Sequence, residues 1–134
     1  MKLYPLIFVT TFTLAAHADN IVDEIMQTES AKKYVEINTY IVNAACTDPN
    51  VNLTKEDTFK VCVAAKKFDA KNRIDTEFRK SLTQYFSSNP SKVSEARKNI
   101  KNEDALGSLI VSPLMGASAK IGNEWAAALI NSLK

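Results

Sequence analysis

Apolar side chains in this chain recur at three- and four-residue intervals, and no stretch alternates with period two for long. No Asn-Gly or Asp-Gly hairpin signal appears either, so strands are unsupported. Asp19 or Asn20 can cap a short first helix with Ile21, Val22, Ile25 and Met26 on one face. A second helix starts at Ser30, with Tyr34, Ile37, Ile41 and Ala45 as its inward stripe, and Asp48-Pro49-Asn50 breaks it. Thr54-x-x-Asp57 resembles a capping box, with Asp where Glu or Gln is preferred, and opens a third helix carrying Phe59, Cys62, Val63 and Ala65. Lys66, Lys67, Lys71 and Arg73 read as mostly solvated. Ile74, Phe78, Leu82, Tyr85 and Phe86 then form a fourth stripe, ended by Asn89-Pro90, which also caps the next helix with proline at its first position. Val93, Ala96 and Ile100 mark a fifth helix, and Leu106, Leu109 and Ile110 a short sixth. Ser112-Pro113 begins the last, with Ile121, Gly122, Trp125, Leu129 and Leu133 facing inward. The pattern predicts an all-α bundle of six or seven helices.

The N-terminus reads differently. Lys2, an apolar run from Leu3 to Ala16, and the small-x-small triplet Ala16-His17-Ala18 match a secretory signal peptide over residues 1–18. The remaining 116 residues, 19–134, are one domain. No further apolar run approaches the ~20 residues of a membrane span, so no membrane insertion is expected once the leader is removed. In an oxidising compartment the only two cysteines, Cys46 and Cys62, are most economically one disulfide. Closing that loop stabilises the fold by roughly 3 kcal/mol in the chain-entropy model. The bond would pin the second and third helices as an antiparallel pair and tether the loop from Thr47 to Leu53.

Composition narrows function by exclusion. The chain carries 17 basic and 15 acidic residues, and losing Lys2 leaves 16 against 15, too balanced for a nucleic-acid binder. Its one histidine, His17, leaves with the signal peptide. The mature chain then has no imidazole for Ser-His-Asp or Cys-His catalysis or for zinc-His sites. Three glycines, Gly107, Gly116 and Gly122, make no phosphate-cradling loop. Adjacent acids at Glu56-Asp57 and Glu103-Asp104 point about 100° apart on a helix, so neither pair converges on one substrate atom. Both suit the positive end of a helix dipole instead. The expectation is a protein without catalytic residues, metal or cofactor.

Two features remain as candidate binding surfaces. The tethered loop offers Asp48, Asn50 and Asn52 as polar contacts, and tethering lowers the entropy lost on docking. The same residues also make an ordinary turn between two helices. Asn52-Leu53-Thr54 fits an N-glycosylation sequon, which has meaning only in a eukaryotic secretory pathway. Along the last helix Gly116, Ala119 and Gly122 permit close approach, with Trp125 on a neighbouring face, which suits either core packing or a helix-mediated dimer.

A signal peptide, a helical domain of about a hundred residues, one disulfide and no catalytic inventory together resemble the periplasmic immunity proteins of type VI secretion systems. Within that class the chain, from Met1-Lys2-Leu3-Tyr4 through Ala126, Leu129, Ile130 and Lys134, looks most like those that neutralise a muramidase spike-protein effector. The resemblance implies a periplasmic homodimer that binds the cognate peptidoglycan hydrolase and plugs or covers its cleft. A secreted helical carrier of a small apolar ligand is the alternative, and it requires room inside the bundle.

Overall fold

Three polar side chains set where three of the helices start. The computed structural model describes residue 18 and residues 20–134. In it Thr28, Thr54 and Asn102 each accept a hydrogen bond from the backbone N–H three residues on, at 3.4, 3.1 and 3.2 Å. They open α2 (Glu29–Thr47), α3 (Lys55–Phe68) and α6 (Glu103–Leu133). A short helix over residues 20–26 (α1) precedes them, and α4 (Ala70–Ser88) and α5 (Pro90–Asn99) lie between α3 and α6. The described chain is thus all-α, six helices with one disulfide. Of the expected leader, residues 1–17 lie outside the described residues, as does Asp19; Ala18 is helical and buried.

The expected capping box at Thr54 forms in altered geometry. Asp57, one methylene shorter than Glu, takes the Thr54 hydroxyl at 2.8 Å. Asn89 departs from expectation. It stands at the N-cap position of α5, but its side chain makes no capping bond there; its amide donates instead to the Tyr85 carbonyl at 2.9 Å and closes the end of α4. Pro90 does stand at the first position of α5. Between α3 and α4 the connection is one residue, Asp69, held left-handed at φ 52°. The sequence puts this junction within the charged run from Lys66 to Arg73, where no glycine marks the turning residue.

The last two expected helices are one. α6 runs 31 residues straight through Pro113, which is buried within it. An interior proline costs about 3 kcal/mol. Burial offsets that cost, since Leu106, Ile110, Pro113, Leu114, Ala117 and Ile121 form a continuous buried row. The Pro113 carbonyl also accepts the Ser81 hydroxyl of α4 at 2.6 Å. By length and composition α6 is the one described helix able to cross a membrane, in contrast to the shorter apolar runs expected there. Here it is the central core helix, its Lys120 paired with Glu77 of α4 at 2.8 Å.

α4 and α6 make the most extensive helix contact, and α3, α2 and α5 pack around them. Ile74, Phe78, Leu82 and Phe86 of α4 are fully buried as the stripe predicted. Ile21, Val22, Ile25 and Met26 bury α1, and Asp23–Arg79 and Glu24–Arg97 pairs at 2.6 and 3.2 Å tie its outer face to α4 and α5. Two inward faces differ from expectation. In α2 the buried positions are Ala31 and Val42, with Tyr34, Val35, Ala45 and Cys46 partly buried, while Ile37 and Ile41 face out. In α3 Val61, Ala65 and Phe68 are buried, while Phe59 and Val63 face out. Gly122 and Leu133 of α6 are likewise exposed.

Candidate functional site

The loop after α2 is fixed at both ends and in the middle. Cys46, in the last turn of α2, is bonded to Cys62 in the middle of α3, with Cα atoms 5.3 Å apart. Leu53 packs against the core at the far end. Between them the Asp48 carboxylate accepts from the Asn50 backbone N–H and from its side-chain amide, both at 2.9 Å. Asn50, in the first place through its backbone N–H, holds the Asp48 carboxyl below its usual range. Val51 N–H donates to the Asp48 carbonyl at 3.2 Å and completes the turn. Of the three loop residues singled out in the sequence, Asp48 therefore turns inward to the loop. Asn50 and Asn52 are exposed, although Asn50 also donates to Asp48.

A fourth residue joins this group. The Tyr40 hydroxyl donates to the second Asp48 carboxylate oxygen at 3.3 Å. Tyr40 is 58% exposed and sits between Ile37 and Ile41, exposed by 49% and 58%. The outer face of α2 and the loop are thus one surface: three large apolar or aromatic side chains beside a rigid polar turn. The sequence held a signal for this. α2 carries two apolar stripes, and only one can face a core; the stripe containing Val42 took that place.

The other predicted group separates. Trp125 is buried, packed on Phe68 with ring centroids 5.4 Å apart. Gly116, Ala119 and Gly122 lie exposed along α6 and do not share its face. A Cβ added at Gly116 or Gly122 meets no atom within 4 Å, so neither glycine serves close packing within the chain.

Glu103, read as a dipole partner for its own helix, does more. Its carboxylate takes the Ser30 backbone N–H at 2.9 Å and also the Ser30 hydroxyl. The start of α6 thereby caps the start of α2. These bonds, the side-chain one foremost, hold its carboxyl below the usual range. Among the described residues no group of three or more His, Cys, Asp or Glu is placed to hold a metal ion. No family model matches the chain, and no curated protein or solved structure matches it.

Proposed function

We propose that this protein is a periplasmic immunity protein that binds and blocks a secreted peptidoglycan hydrolase of the muramidase type. The observation that carries the reading is the Tyr40–Asp48 hydrogen bond, which joins the tethered loop to the exposed face of α2. Protein interfaces concentrate their energy in a few aromatic and apolar anchors, with polar groups around them. Ile37, Tyr40 and Ile41 are such anchors, and Asn50 and Asn52 supply exposed amides that match the hydrogen-bonding groups of a polysaccharide cleft. The disulfide and the turn hold the loop before binding, which reduces what docking costs in order. A homodimer belongs to the same reading, through the exposed α6 face of Gly116, Ala119 and Gly122, with Trp125 now excluded from it.

The carrier alternative has less support, because Phe78, Leu82 and Phe86 fill the bundle interior. The test is direct. The chain from residue 19 to residue 134 is mixed with the muramidase domain of a spike-protein effector, chosen from the genes neighbouring its own. Nanomolar binding with loss of peptidoglycan cleavage is expected; full cleavage at saturating inhibitor refutes the function.

A further inference from the structure

Away from the loop, α3 and the C-terminal half of α6 leave an open groove of about 520 Å³. One wall is three turns of α3: Phe59, Lys60, Val63, Ala64, Lys67 and Phe68. From Phe59 to Phe68 it runs about 14 Å at the helical rise. Ala128, Asn131 and Ser132 of α6 and Arg73 of α4 complete the lining. Apart from Lys60 and Lys67 the long wall is apolar, the charges lining the groove are all positive, and no carboxylate lines it.

The three cations are not equivalent. Lys60 is paired with Glu56 at 2.9 Å. Arg73 is paired with Glu124 at 3.1 Å and lies 4.4 Å over the Phe68 ring. Lys67 makes no ion pair with any described residue, so it is the cation open to an incoming anion.

We propose that this groove binds a single-chain anionic amphiphile, its alkyl chain along Phe59, Val63, Ala64 and Ala128 and its head group at Lys67. The volume falls within the roughly 300–1,000 Å³ of small-molecule sites. The walls also decide against an extended peptide. Both are helices whose backbone groups are bonded internally, so the N–H groups of an extended peptide would find only Asn131 and Ser132 as acceptors. An alkyl chain needs no such partners. A helix laid on the groove by one apolar face is the other occupant, and the test below separates it.

The protein carries its own reporter. Trp125 is the only tryptophan, and it packs on Phe68, which lines the groove. Dodecanoate, kept below its micelle concentration, is titrated into the exported chain while Trp125 emission and heat are followed. Saturable one-to-one binding is expected, with dodecanol about ten-fold weaker for want of a charge. Lys67→Glu, at an exposed position, should weaken dodecanoate binding by about ten-fold or more with helicity unchanged. Val63→Glu sets a carboxylate in the trough and should do the same. Non-saturable uptake, equal affinity for dodecanol, or indifference to both substitutions would overturn the site. So would a Lys67→Glu variant that loses a second copy or the hydrolase while still binding dodecanoate normally, because the groove would then be a protein interface.

Discussion

Asp69 is the one described non-glycine residue with positive φ, and it alone separates α3 from α4. Its carboxylate accepts from the Asn72 side chain at 2.8 Å, a local bond that helps a short polar residue tolerate this conformation. Glycine adopts it freely, so Asp69→Gly should raise stability by about 0.5 kcal/mol. Asp69→Val, β-branched, should lose at least about 1 kcal/mol. Denaturant unfolding of both variants checks this, and a valine variant as stable as the parent would remove the argument. Glu103 makes a second residue-scale prediction. Its carboxyl is held below the usual 4.5 by Ser30, so its contribution is present above that pH and is lost as pH falls through the lowered value. Glu103→Gln should therefore melt below the parent near pH 6, and the gap should narrow as pH falls below 4.5. Asp48 and Glu77 are also held low, so the parent should keep some acid sensitivity of its own; only the difference between the two proteins reports on Glu103.

At the scale of elements, what the sequence disclosed depended on how many apolar stripes each helix carries. α4 has one, from Ile74 to Phe86, and four of its five positions are buried as expected, with Tyr85 only partly buried and Ala70 added at the start. α2 and α3 each carry two candidate stripes, and periodicity alone cannot rank Ile37–Ile41 above Val35–Val42, or Phe59–Val63 above Val61–Ala65. Packing against α4 and α6 made that choice. Pro113 misled in another way, since local propensity ends a helix there while the burial of Leu106 through Ile121 carries it through. The expected disulfide and the Thr54 cap, in contrast, depend on short-range chemistry and both form. The outer face of α6 yields a prediction at this scale. A Cβ at Gly122 has open space around it, and Gly122→Leu replaces the poorest helix former but proline, so the isolated fold should gain up to about 1 kcal/mol. If that face joins two copies, light scattering should show the dimer reduced to monomer while helicity is unchanged. A variant that remains dimeric would move the interface elsewhere on the molecule.

At the scale of the whole molecule, the described helices pack around one core, and two surface regions face away from it. One is the α3–α6 groove. The other is the loop and the α2 face, whose polar half was legible as Asp48-Pro49-Asn50 and whose apolar half was not, because Tyr40 counts toward neither stripe until the helix is placed. If that surface binds the hydrolase as a unit, the anchor and the turn must communicate. Tyr40→Ala removes a large exposed ring and the bond to Asp48; Asn50→Ala removes an exposed amide and one of the two donors that Asn50 gives the same carboxylate. Each alone should weaken binding by about 1–2 kcal/mol, as expected at aromatic and polar contacts near an interface centre. Sharing a partner, they should not add: the double mutant should differ from the sum by about 0.5 kcal/mol or more. Tyr40→Phe keeps the ring and loses only the bond, so it should retain most of the affinity while still showing part of that coupling. Because all these side chains are exposed, melting temperatures should move little, and a change in affinity then reports the interface. Strict additivity with intact stability would mean that the loop and the helix face act separately, and unchanged affinity in every variant would place the hydrolase contact on another surface.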